Sequence, residues 1–209
     1  MSRASPTRRS LCFPDNCAEQ NMETERHPFR PFLPENARIL FLGSFPPQEK
    51  RWSMPFYYPN WTNDFWRVMG LLFQRDKDWF AVSGEKRFDI EKVQAFCLEH
   101  GFALYDTACE VRRLQDNASD KYLEVVKATD IRALLARIPH CVSLVTTGQK
   151  ATDVIVDTFG CSQPPMGGSV SITVGRRNID FWRMPSTSRA YPLPLEKKAQ
   201  AYMALFDQL

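Results

Sequence analysis

Apolar residues are gathered in short blocks separated by turn formers. Ile39–Leu42 (ILFL) is an unbroken apolar run of strand length, ended by Gly43-Ser44-Phe45-Pro46-Pro47. Two prolines in succession continue neither a strand nor a helix, so this reads as a buried strand delivering a loop. From Asn63 or Asp64, both good N-caps, apolar positions recur at helical spacing through Trp66, Val68, Leu71 and Leu72. A second helix is predicted over Asp89–His100 and closed by Gly101. Strand two is Phe102–Tyr105, followed by Asp106-Thr107. Ala108–Asn117 (ACEVRRLQDN) reads as loop. Asp130 caps a helix over Ile131–Arg137. Val142–Val145 is strand three, ending at Thr146-Thr147-Gly148, and Ala151–Thr158 is helical. Val170–Val174 alternates as an edge strand pairing with Ile179–Arg183. Leu195–Phe206 is the last helix.

Strands alternating with helices imply an α/β fold with a mainly parallel sheet covered on both faces. Ligands of such sheets bind beyond the carboxyl ends of the strands. Four loops are therefore expected to converge: Gly43–Pro47, Asp106-Thr107, Thr147–Gln149 and Pro185–Arg189.

The length of 209 residues and 44% hydrophobic content suit one domain with a full core. Residues 1–30 are rich in Ser, Pro, Arg and Glu and read as a mobile tail, leaving 31–209 as the domain. The tail has arginines but no apolar stretch after them, so no secretory signal is expected. No apolar run is long enough to cross a bilayer, and a cytoplasmic monomer is the simplest expectation. The six cysteines form no C-x2-C pair and the three histidines are scattered, which argues against a zinc or iron–sulfur site. Net charge is only +3. Within 38–75, however, Arg38, Lys50, Arg51, Arg67 and Arg75 outnumber Glu49 and Asp64. Residues 170–198 are similarly basic. Both segments carry cleft loops, which suggests a basic face for a polyanion. A solvated surface without a partner accounts for the same excess.

Phe56–Trp66 sets Phe56, Tyr57, Tyr58, Trp61, Phe65 and Trp66 among Asn60 and Asn63. Rings offer stacking faces and amides offer paired hydrogen bonds, a combination suited to a flat polar ligand such as a nucleobase. Core packing explains any single ring equally well.

The run Gly43-Ser44-Phe45-Pro46-Pro47, then Tyr57-Tyr58-Pro59-Asn60, then Asn63-x-Phe65-Trp66 resembles the first motif of the uracil-DNA glycosylase superfamily. The nearest branches are the mismatch-specific uracil-DNA and the hypoxanthine-DNA glycosylases. Met184-Pro185-Ser186-Thr187-Ser188 resembles their second motif, a loop that enters DNA. Thr147-Gly148-Gln149-Lys150-Ala151 is similar to a strand-end loop between the two. The resemblance spans 38–209. It implies a three-layer α/β/α sandwich with a four-stranded, mainly parallel core sheet. It also implies hydrolysis of the N-glycosidic bond of a flipped-out deaminated base, uracil or hypoxanthine, in base-excision repair, with no metal or cofactor. The partner is DNA containing a damaged or mismatched base. Mismatch-specific members carry a catalytic Asn where this chain has Phe45. Hypoxanthine-type members use the Asn of the later run, which is Asn63 here.

The expected roles follow. Asn63 is the catalytic amide. Gly43 and the backbone N–H groups of Ser44 and Phe45 hold the base, Tyr58 stacks on it and Asn60 hydrogen-bonds it. Ser186, Thr187, Ser188, Arg189 and Lys150 contact DNA. No lysine motif for a Schiff base is present, so base removal without strand cleavage is expected. The alternative is an inactive base- or nucleic-acid-binding module of the same fold. A small-molecule hydrolase fits poorly, because no G-x-S-x-G elbow is present.

Overall fold

The computed structural model describes residues 24–114 and 122–207. Most of the expected N-terminal tail, residues 1–23, lies outside them, as does Asn117 of the expected loop.

The strands that read as continuous apolar runs form the centre. β2 (Ile39–Gly43), β3 (Phe102–Asp106) and β6 (Ser143–Thr147) are buried along their whole length. That is the signature of parallel strands covered on both faces. β8 (Arg177–Met184) joins them in the parallel order β3-β2-β6-β8, and β7 (Gly168–Val174) closes the edge antiparallel to β8. The fold is thus α/β, with four parallel strands and an antiparallel fifth. Register sets Gly43 beside Asp106 and Thr147 beside Met184, so the strands end level with one another.

In this strand order, the right-handed rule for parallel crossovers puts the connecting helices on opposite faces. α1 (Phe65–Gln74), α2 (Ile90–His100) and α5 (Leu195–Phe206) share one face, where Phe73 packs edge-on against Phe96 and Phe206. α3 (Ile131–Arg137) and α4 (Gln149–Phe159) lie side by side on the other. Arg132 there donates to the Thr158 carbonyl and covers the Phe159 ring. Asp130 caps α3 and Gly101 ends α2 as expected, the glycine with a left-handed φ of 66°, while Asp89, expected as the first helical residue, is the N-cap of α2.

Two expectations are corrected. The segment after Asp106 is not a loop. Ala108–Arg113 is β4, the middle strand of a small antiparallel sheet with β1 (Thr24–Arg26) and β5 (Leu123–Ala128). Only Ala108 and Val111 of β4 are buried, so its charged residues hide the strand pattern. Residues 24–30, expected in the N-terminal tail, are instead tied to the domain. β1 pairs with β4, His27 N donates to the Cys109 carbonyl, and Tyr57 Oη donates to the Arg30 carbonyl. The chain turns from the large sheet into the small one at Thr107. Thr107 N donates to Gly43 O, and the Thr129 hydroxyl donates to Asp106 O.

One buried ion pair ties the last helix to the first. Lys198 of α5 is fully buried and its Nζ lies 2.8 Å from Asp64 Oδ2 and 2.9 Å from the Ser188 carbonyl. Asp64 N donates in turn to Thr187 O. Lys198→Ala leaves the Asp64 carboxylate buried without its cation. We expect a loss of about 3–5 kcal/mol in denaturant unfolding, the usual scale for breaking a buried pair. A loss well below 1 kcal/mol would show that the pair contributes no net constraint.

Candidate active site

The level strand ends leave a cavity of about 290 Å³ between the two motif loops. That is near the lower end of small-molecule sites. Its lining includes Gly43, Ser44, Phe45, Tyr58, Asn60, Asn63, Ser186, Thr187, Ser188 and Arg189. Ten of the eleven expected site residues are therefore brought together. Lys150 is the exception. It sits in the first turn of α4, and its Nζ donates to the Leu123 carbonyl at 2.5 Å.

The floor is made by glycine. A Cβ at residue 43 would collide with Asp106 Oδ1, so only Gly lets that carboxylate lie against β2. The Phe45 ring is mostly buried. It is 9% exposed and packs with Ala108, Val111 and Leu123 in a satellite core, edge-on to His27. Arg113 braces the same corner. Its Nε donates to both Glu25 carboxylate oxygens at 2.8 and 3.0 Å, and it also donates to the Pro46 carbonyl.

Tyr58 makes the aromatic wall. Its ring stacks on Phe65 at 3.8 Å and 8°, and its Oη lies 3.0 Å from Thr147 Oγ1. Its φ is 51°, a left-handed backbone that a bulky residue adopts only when its surroundings impose it. Burial pushes the phenol well above its ordinary pKa, so Tyr58 stays neutral.

The motif amides are held by their own backbone. Asn63 Oδ1 accepts from Phe65 N at 2.9 Å, starting α1, and Asn60 Oδ1 accepts from the Thr62 amide and hydroxyl. Asp64 holds the N-cap position but gives its carboxylate to Lys198. Arg67 stiffens the loop, donating to Trp61 O and Asn63 O beneath a cation–π contact with Trp61. Across the cavity, Ser186 Oγ accepts from Ser188 N, and Ser188 Oγ accepts from Ala190 N. The serines shape their turn while lining the mouth, where Arg51 and Arg189 are exposed.

Charge counting along the chain misjudged the basic face. Arg38 precedes β2 at the far end of the sheet. Arg177 is spent there on the carbonyls of Leu135, Ile138 and Pro139. Lys198 is buried.

Sequence reasoning gave no role to one residue of the wall or to the residue behind it. Asp106 lines the cavity, and its Oδ2 lies 2.9 Å from His27 Nε2. Asp106 had been placed at the cleft by its strand end. His27 carried no signal, being 79 positions away in a segment without apolar periodicity.

Gly43→Ala is expected to fold but to lose about 1–3 kcal/mol in thermal or denaturant unfolding, as Asp106 is displaced. Unchanged stability would mean that the carboxylate moves aside freely.

No family model matches the chain, and no curated protein matches it. Among solved structures it is similar to the solution NMR structure of a protein from Methanosarcina acetivorans, provisionally described as a uracil DNA glycosylase. The TM-score is 0.56 at 20% identity, covering 85% of this chain and 98% of that one. The two chains share a fold.

Proposed function

We propose that the protein is a DNA glycosylase that hydrolyses the N-glycosidic bond of a deaminated base, uracil or hypoxanthine, turned out of a duplex. The observation that carries this reading is the single cavity on which both motif loops close, with an aromatic wall, two amides and a hydroxyl-lined mouth. The likeness in fold to a provisionally described uracil DNA glycosylase supports it.

Cleavage builds positive charge on the sugar and negative charge on the leaving base. The site must therefore hold the base flat and place one water. In this reading Tyr58 stacks on the base. The Asn63 amide, oriented by Phe65 N, retains its N–H donors and a second lone pair to orient water or base. Ser186, Ser188, Arg51 and Arg189 meet the phosphates at the mouth. Base removal alone is proposed, since Lys150 is engaged by Leu123 O.

A second reading is favoured by one observation. Both motif amides spend their carbonyl oxygen on local backbone N–H groups, a turn-shaping role that a base-binding module without catalysis would share.

Single-turnover release from uracil- and hypoxanthine-containing duplexes separates the two. Asn63→Asp keeps the acceptor for Phe65 N and should fold normally, yet lose about 10²-fold or more in rate. Asn63→Ala should lose comparable activity and about 1 kcal/mol of stability. Wild-type release by Asn63→Ala would remove Asn63 from catalysis, and no release by the native chain would leave the binding module.

Affinity for an abasic duplex should fall with salt. Arg189→Ala should reduce the log–log slope by about 0.9, the value of one phosphate contact. A salt-independent affinity would exclude phosphate contacts at the mouth.

A further inference from the structure

His27 and Asp106 form a couple that base stacking and phosphate binding do not require. Their side chains are 3% and 10% exposed, with Nε2 and Oδ2 2.9 Å apart. Asp106 reaches the cavity, its other oxygen lying against Gly43. The far nitrogen of the imidazole is placed unusually. His27 Nδ1 lies 3.0 Å from the Phe29 carbonyl and 3.1 Å from the Phe29 N–H. A protonated Nδ1 donates to the first, and a bare Nδ1 accepts from the second. One backbone residue thus satisfies the ring in either protonation state. Between Nε2 and Oδ2 a proton on either atom preserves the hydrogen bond, giving an ion pair or a neutral pair.

The other ionisable groups around the couple are Tyr57 and Tyr58 of the aromatic loop, Tyr105 of β3 and Cys109 of β4. Arg113 and Glu25 lie beyond, paired with each other. Burial pushes all three phenols up, so they remain neutral hydrogen-bonding groups. A departing base needs its developing negative charge neutralised. Arg51 and Arg189 stand at the mouth, where they meet phosphates in this reading, the 186–188 turn offers hydroxyls, and Lys198 is sealed onto Asp64.

We propose that His27 is the positioning residue of an acid couple, holding the Asp106 carboxyl at the cavity and supplying the proton that Asp106 passes to the departing base. This rests on the glycosylase reading above. The C1′–N bond breaks with its electron pair left on the base. The Nε2 proton of the ion pair moves onto Asp106, giving the neutral pair, and Asp106 then passes that same proton to the base, leaving a neutral imidazole protonated on Nδ1 and a carboxylate. The oxygen of water bonds to C1′ and its proton goes to solvent, from which the couple is reloaded once the base has left.

The test uses the full chain and two readouts. The first is the nitrogen NMR signals of the imidazoles, with His100 and His140 as internal controls. Asp106→Asn and added free hypoxanthine should each shift the His27 signals and leave the controls in place. His27 signals indifferent to both would overturn the couple. The second readout is single-turnover base release between about pH 5 and 8, where histidine changes charge. The native rate should fall as pH rises. His27→Gln can still donate a hydrogen bond to Asp106 but has no proton to transfer. It should lose about 10²-fold or more and flatten the profile. A native profile in His27→Gln, with cooperative unfolding retained, would overturn the proton transfer alone. Intact NMR coupling with no base release by the native chain would overturn the glycosylase reading and the transfer together.

Discussion

The Lys198 ammonium is the interaction on which the cavity depends. A fully buried lysine is costly unless its charge is paired and its remaining protons are used. Here Asp64 and the Ser188 carbonyl do both. Asp64 stands at the start of α1, just after the aromatic loop, and Ser188 lies in the second motif loop. One cation therefore fixes the separation of the two walls. Asp64 N on Thr187 O adds a backbone bond to the same seam. The stacking of Tyr58 on Phe65 and the turn at Asn63 are built on helix residues next to that anchor.

The large sheet was legible because buried parallel strands write themselves as continuous apolar runs. ILFL and FALY need no partner information to be recognised, and their turn formers place the loops at one edge. The small sheet was not legible. β4 buries only Ala108 and Val111 and exposes charge, while β1 is three charged or polar residues that pair across a long sequence separation. Such strands are defined by their neighbours and not by their own pattern. The start of α1 was half legible for a related reason. Asn63 and Asp64 both read as caps, but the ion pair with Lys198 claims Asp64 and leaves the capping bond to Asn63.

Among the candidate site residues, position in the loops was readable and orientation was not. Phe45 was expected against the base and lines the cavity, yet its ring completes a satellite core. Lys150 was expected at DNA and is turned onto Leu123 O. Both outcomes follow from the small sheet, which supplies the apolar surface for Phe45 and the carbonyl for Lys150. The His27–Asp106 pair escaped notice for the same reason, since β1 carries the histidine into place.

The wall backed by His27 begins at the first strand described, and the seam that contains Lys198 closes at the last helix. Both rest on contacts of long sequence separation, 79 positions for His27–Asp106 and 134 for Asp64–Lys198. Closing loops of that length costs entropy that the contacts themselves must offset. The cavity therefore raises the contact order of the chain, and its shape is bound up with how slowly such a topology folds.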